Sequence, residues 1–430
     1  MNKNQQDNSS CFVISPSSKE GDLFFIWIVA FSLLINSVVA QNNTEFWKFQ
    51  FKLNDTTKLI IDAKILHIKN NQFVYFPAYN NMHSEAKINF NSDSAVFSLG
   101  LYQNKFVTKK ESIDKLSGQW IKYSGNKSYI LPLTASKLNL SQIKQRQEDI
   151  QLMNNFSERW KIKTHSINNT DEALGIFQKY SFKNNYVRIK GSIATKSGDL
   201  GNLDGEIKND SLYLSVFNGA FATQLISKIY HHTQQTIDSI AGFIYYGTWG
   251  AEKFSAIPDN VFELNNQISV EEVFNQINPL VLNFKDINGN PVMLEKDKPC
   301  ILQFMGSWCP NCIDETKMFA KWQDTLKNKI QIIALCVERT NDEQKALELL
   351  KKIKIKYHIL YPVILLSHKG TQGIQGFSEL KKIPAFPTTV YLNKNHEPQY
   401  AFIGFSGPAT GAEYDKTQKE ILQIIQKLTH

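Results

Sequence analysis

Two architectures joined end to end are predicted for this chain: an all-β region, barrel or sandwich, over residues 41–257, and an α/β unit over residues 258–430. Three observations carry that division. The first half is built of short runs in which apolar and polar residues alternate, separated by Asn, Gly, Lys and Ser, which is the pattern of half-buried antiparallel strands. The second half alternates apolar strands with amphipathic helices, the pattern of a mainly parallel sheet with an antiparallel hairpin at one edge. At one of its strand-to-helix junctions stands Trp308-Cys309-Pro310-Asn311-Cys312, with two thiols one helical turn apart. A length of 430 residues with 42% hydrophobic content is enough for two full cores.

Residues 1–40 stand apart from both halves. The stretch 23–40 is apolar and ends in the smaller residues Val38 and Ala40, which reads as a signal peptide cleaved before Gln41. The flank before it sets Lys3 and Lys19 against Asp7, Glu20 and Asp22, so the usual positive charge is missing. An uncleaved membrane anchor is therefore the other reading, since the run is nearly long enough to span a bilayer. Either way the rest of the chain is exported, to a periplasm or cell envelope. No lipid-attachment pattern of small residues precedes Cys11.

In the all-β half, strands are expected at 46–53, 59–68, 73–76, 87–90, 95–101, 127–133, 159–163, 187–193 and 211–217, with a polar stretch at 148–155 between two sections. Gly118-Gln119-Trp120, Arg159-Trp160 and Gly247-Thr248-Trp249 recur, either as related sheet beginnings or as aromatic core residues. This half has no cysteine and no clustered acid, base or metal set, so binding, spacing or substrate orientation is expected of it rather than chemistry.

The α/β half reads as strand 301–305, a helix beginning at the cysteines, strand 330–336, a helix opened by the capping box Thr340-x-x-Glu343, strand 361–366, a helix-like segment 372–382, hairpin 388–404 and helix 412–428. In the first of these helices Cys312, Glu315, Phe319, Trp322 and Leu326 fall at three- and four-residue spacings and share one face. The first turn of a helix has unpaired N–H groups and the positive end of the dipole, which together stabilise a thiolate at Cys309. A thiolate attacks a disulfide sulfur, and a second thiol, here Cys312, resolves the mixed disulfide. Pro310 suits the first helical position, where a missing N–H costs little. Zinc ribbons also use C-x-x-C, but they need a second ligand pair, and Cys11, Cys300 and Cys336 are all single.

With these residues in place, the segment from about Phe262 to His430 resembles the thioredoxin fold, and within it the TlpA-like disulfide reductases of extracytoplasmic compartments. The likeness rests on Gly306-Ser307-Trp308-Cys-x-x-Cys after its strand, on Glu315, on the Phe386-Pro387-Thr388-Thr389 loop, and on Gly404-Phe405-Ser406-Gly407-Pro408 before the last helix. It implies a thioredoxin fold at the C-terminus and a cis Pro387 facing the reactive sulfur, so that residue 386 pairs with a substrate chain. Trp308, Phe386 and Thr388 then line the substrate groove and Trp308 shields the site. The first half resembles the accessory β domain of some TlpA-like proteins, notably over residues 189–252.

Glu315 lies on the helix face expected to pack inward, where desolvation raises a carboxyl pKa toward neutrality. It then exchanges a proton with Cys312; the alternative is a carboxylate that serves only the helix dipole. The buried Asp that another thioredoxin branch carries in the preceding strand is replaced here by Gln303. If strands 301–305 and 331–336 pair in parallel, Cys300 and Cys336 lie on the order of 15 Å apart and form no bridge. His396, in Asn393-Lys394-Asn395-His396-Glu397-Pro398, reads as a hairpin-turn residue rather than a copper ligand.

The function expected is an exported thiol:disulfide oxidoreductase that reduces protein disulfides, with Cys309 attacking, Cys312 resolving, Glu315 managing a proton and Pro387 shaping the groove. The alternative is a binding or assembly protein that works through its β domain beside a redox-inert α/β module. Neither needs a cofactor or a metal. Expected partners are protein disulfides and a membrane thiol electron donor, with a membrane tether if the N-terminal segment is retained. The formal charge of +8 is spread without a basic block, and no nucleic-acid motif accompanies it.

Overall fold

The alternating runs of the first half form two antiparallel sheets rather than one. The structure, a computed structural model, describes residues 44–429 apart from 69–70, 77–83, 89, 92, 100–101, 125–126, 140–143, 166–169, 183–185, 234–235, 248–249 and 277. The expected signal peptide or anchor at 1–40 lies outside the described residues.

The first sheet has nine strands, and its opening strand, Thr44–Lys52, pairs with both Lys58–Ile68 and the closing strand Lys127–Lys137. Period-two alternation turns Phe49 and Phe51 inward, where they meet Phe76, Phe106 and Trp120. The polar stretch after it is a helix, Gln147–Asn154, whose Leu152 and Met153 plug the next sheet's core.

That second sheet closes on itself. Thr170–Ser181 pairs on one side with Arg159–His165 and on the other with Val187–Thr195, completing an eight-stranded ring around Trp160, Phe177, Leu212, Leu214 and Phe254. Phe217, at the end of Ser211–Phe217, leaves the barrel and stacks on Phe51 of the first sheet at 4.9 Å. The two sheets thus share an aromatic contact, and each such buried ring is worth roughly 1.5–3 kcal/mol.

Strands at Asn104–Ser112, Lys115–Ser124, Thr170–Ser181, Leu203–Lys208, Ala222–Thr233, Thr236–Tyr246 and Ala251–Pro258 were not expected. Mid-strand Gly118, Gly175, Gly205 and Gly242, together with charged ends such as Lys109-Lys110-Glu111, interrupt the alternation that marks a strand in sequence. Gly118-Gln119-Trp120 lies mid-strand rather than at a sheet beginning. Trp120 and Trp160 are core residues, and Trp249 lies outside the described residues.

The C-terminal sheet runs Gln267–Ile268, Pro398–Ile403, Thr388–Leu392, Cys300–Met305, Gln331–Val337, Val363–Ser367. Cys300–Met305 is buried throughout, parallel to Gln331–Val337 and antiparallel to Thr388–Leu392. The chain crosses twice in the same direction, so right-handed crossovers put both intervening helices, Pro310–Leu326 and Glu343–Lys356, on one face. Ala412–Thr429 joins them there through Ile421, Ile424 and Ile425.

Two expectations are corrected. The segment 372–382 is not helical: only Thr371–Gly373 makes a 3-10 turn, Gly376 takes φ +74°, and Phe377 is pressed against Phe274 and Phe304 on the sheet's other face. Spacing that looked helical is apolar packing by irregular chain. The second helix is capped by Asp342, whose carboxylate accepts from Lys345 N at 3.1 Å. Thr340 instead holds the preceding turn, accepting from Asp342 N at 3.2 Å, because Asn341 takes φ +59° and delays the helix.

Candidate functional site

The central strand Cys300–Met305 delivers the chain to the sheet's edge, and the helix Pro310–Leu326 starts there with Pro310 at its first position. Cys309 is the N-cap: its backbone is extended at φ −104°, ψ 108°, and its sulfur accepts from Cys312 N at 3.2 Å, as a serine cap would. Cys309 and Cys312 are disulfide-bonded, with Cα atoms 5.3 Å apart. Cys312 is fully buried, and Cys309 is 5% exposed.

The Phe386–Pro387 bond is cis. Phe386 O lies 3.5 Å from Cys309 Sγ, its ring meets Trp308 edge-on at 5.2 Å, and Pro387 O accepts from Gly404 N at 2.8 Å. Thr388, expected to line the groove, is turned inward: it is fully buried and its hydroxyl donates to Ala385 O at 2.7 Å. It braces the loop from within. Trp308 donates from Nε1 to Val337 O at 2.9 Å.

Glu315, one turn after Cys312, is 3% exposed. Thr389 Oγ1 donates to both its oxygens, at 2.8 and 2.9 Å, and Gln303 Nε2 donates at 2.8 Å. Gln303 and Thr389 are cross-strand partners, so the sheet fixes both donors, and Thr316 Oγ1 on Gln303 Oε1 at 3.2 Å sets the amide's orientation. Burial pushes the Glu315 carboxyl up to about 7 against the opposing effect of these hydrogen bonds. The same Gln303 amide lies 3.5 Å from Cys312 O, tying the carboxyl to the thiol's own residue.

Sequence reasoning missed the barrel's approach. The tight turn between Val187–Thr195 and Gly198–Asp199 packs on the C-x-x-C segment: any Cβ on Gly198 would sit 2.0 Å from Asn311 Nδ2. At Gly404 a Cβ would lie 2.4 Å from Gly198 N and 2.5 Å from Lys196 O. With φ of +122° and +67°, both positions demand glycine twice over. Asp199 then accepts from Gly407 N at 2.7 Å, beside Asp314 on the helix. Burial first, and the Asp314 charge second, push Asp199 up to about 6. Arg159 reaches Glu413 at 2.6 Å and Phe262 O at 2.8 Å. One side of the Cys309 rim is therefore covered by the barrel. The only sequence signal was the glycine at each end of the contact.

Cys300 and Cys336 are outside this constellation. Cys300 pairs with Gln331 and Cys336 with Met305, at opposite ends of neighbouring strands, and both are buried free thiols pushed well up by burial. His396 sits in the hairpin turn at φ +65°, its Nε2 3.0 Å from Glu295 O. Among the described residues no cluster of His, Cys, Asp or Glu has metal-site geometry.

No family model matches the chain, and no curated protein does. Among solved structures it is similar to a DsbF homologue from Corynebacterium diphtheriae, at 19% identity and TM-score 0.27, over 36% of this chain and 97% of that one. It is also similar to a thiol:disulfide interchange protein of the thioredoxin family from Chlorobium tepidum, at 19% identity and TM-score 0.24, over 33% and 96%. StoA from Bacillus subtilis matches at 19% identity and TM-score 0.24, over 33% and 99%. Each of these neighbours leaves most of this chain unmatched.

Proposed function

We propose that the chain is an exported thiol:disulfide oxidoreductase with the organisation of TlpA-like reductases: residues 1–40 a signal peptide or anchor, 41–257 accessory β structure, 258–430 a thioredoxin fold. The observation that carries the reading is the Cys309–Cys312 disulfide at a helix N-terminus, flanked by the cis Phe386–Pro387 loop and by a buried Glu315 with a pKa of about 7.

In the reduced protein, Cys309 as thiolate attacks a substrate disulfide; a new S–S bond forms and one substrate cysteine leaves as thiolate, taking a proton from solvent. Cys312 next gives its proton to the Glu315 carboxylate and attacks Cys309 Sγ. That closes the Cys309–Cys312 disulfide and expels the second substrate cysteine, to which Glu315 returns the proton. Two electrons pass to the substrate, and a dithiol donor at the membrane restores the pair. Trp308 and the Phe386 carbonyl form the docking rim, while Pro387 and Thr388 hold that rim in shape.

A second reading is favoured by one observation: Cys309 is only 5% exposed, as expected of an assembly module with an inert disulfide. Titration of the full chain in dithiothreitol buffers separates the two. A pair that equilibrates and then reduces insulin-type substrates supports the oxidoreductase, and a disulfide that resists reduction in the folded protein supports the assembly module.

A further inference from the structure

Next to Trp308 a cleft of about 100 Å³ opens between the C-terminal sheet and the two N-terminal sheets. Three separate parts of the chain build it: Trp308, Glu338 and Arg339, then Tyr102 and Lys122 of the first sheet, then Phe221 of the barrel. Two cations face each other across it. The Arg339 guanidinium lies 3.5 Å over the Trp308 ring, and the Lys122 ammonium lies 4.2 Å over Phe221.

Among the described residues Arg339 makes no ion pair. The adjacent acid, Glu338, also lines the cleft, but its two oxygens are turned to Ser307 N at 2.7 Å and Ser307 Oγ at 2.5 Å. Burial, and next the charge of Arg339, push Lys122 down to about 8, while the charge of Glu338 favours the charged form of Arg339. An anion in the cleft is attracted by both cations, and the aromatic walls suit the aliphatic stem of a side chain. Trp308 directly precedes Cys309, and consecutive residues lie about 3.8 Å apart, so the cleft is within reach of a position next to a cysteine bound at Cys309.

We propose that this cleft binds an acidic side chain of the substrate polypeptide, one or two residues from the cysteine that exchanges with Cys309. The proposal rests on the disulfide-exchange reading and specifies its substrate: protein disulfides with Asp or Glu beside the attacked cysteine. It also gives the β half a role in selection, since Lys122 and Phe221 come from there.

The test uses the full chain, reduced, with three disulfide-bridged fluorogenic peptides that differ only in carrying Glu, Gln or Lys beside the cysteine. Expected kcat/KM falls in the order Glu, Gln, Lys, with roughly tenfold between the ends, as an attraction lost and a repulsion gained are each worth a few-fold at a half-exposed site. Arg339→Glu with Lys122→Glu reverses the order. Equal rates for the three peptides with the unsubstituted protein, or an order unmoved by the double substitution, overturn the inference while leaving disulfide exchange in place. No exchange with any peptide, the Gln peptide included, removes the oxidoreductase reading and this inference with it.

Discussion

The α/β half and the all-β half contribute to one site in different ways. In the C-terminal sheet the candidate site is local: Cys309, Cys312 and Glu315 lie within two turns of one helix, and Gln303 and Thr389 face Glu315 from paired strands. The β half reaches it from outside, with Gly198 on Asn311, Asp199 on Gly407 and Lys122 in the same cleft as Arg339. Its two contacts also differ in kind. Barrel and first sheet share stacked aromatics around Phe217, worth roughly 1.5–3 kcal/mol per buried ring. Barrel and C-terminal sheet meet through the Asp199–Gly407 hydrogen bond, about 1.5–3 kcal/mol for a bond to a charged group, and the part-buried Arg159–Glu413 pair, about 0–1 kcal/mol. The contact that covers the Cys309 rim is thus a polar seam, whereas the one between the two β sheets is aromatic.

The division of labour is broken most sharply by Cys309→Ser, which should abolish insulin-type disulfide reduction to the uncatalysed rate while leaving the circular dichroism unchanged. Residual turnover above that rate would place the chemistry elsewhere. Glu315→Gln comes next, with turnover expected to fall about a hundredfold or more near pH 7, since a general acid–base group contributes roughly 10²–10⁴-fold.

The same carboxyl sets a stability slope. Its pKa rises from 4.5 unfolded to about 7 folded, so between those values the folded chain binds more protons. Stability therefore falls as pH climbs through that window, by a few kcal/mol at most, and is flat above it. Urea denaturation at pH 4 and pH 8 should show the slope reduced in Glu315→Gln, with the variant the more stable of the two proteins at pH 8. An unchanged slope would mean that folding leaves the Glu315 pKa at its unfolded value.

Smaller effects are expected from the seam. Gly198→Ala forces the turn or Asn311 aside, so iodoacetamide should label Cys309 of the reduced protein about three to five times faster, a low-cost local opening. An unchanged labelling rate would show that the turn does not limit access. The smallest effect belongs to Cys300→Ala with Cys336→Ala: exchange should stay within about twofold, because neither thiol reaches the site, though removing two buried side chains costs about 1–2 kcal/mol in denaturation.

How much was legible follows from sequence distance. The helix start at the cysteines, the inward face of Glu315 and the separation of Cys300 from Cys336 were all readable, because each depends on helical or strand periodicity within a few residues. The segment 372–382 was misread because Ile374, Phe377 and Leu380 have helical spacing, whereas Gly373 and Gly376 let the chain lie irregularly against Phe274 and Phe304. In sequence Gln303 reads only as the place of a missing acid, and its use as a donor to Glu315 depends on the strand pairing.

By itself the sequence determined that two thiols stand at the start of a helix behind a buried strand, with a carboxyl one turn on, since backbone geometry and side-chain period leave little else for that run of residues to do. Tertiary structure alone decided that the alternating half becomes two sheets, one closed into a barrel, and that this barrel sets Gly198 against Asn311 while Lys122 of its neighbouring sheet faces Arg339. Those contacts join residues more than a hundred positions apart. Their energy comes from surfaces that fit only once each half has folded, and no local pattern in the chain encodes such a fit.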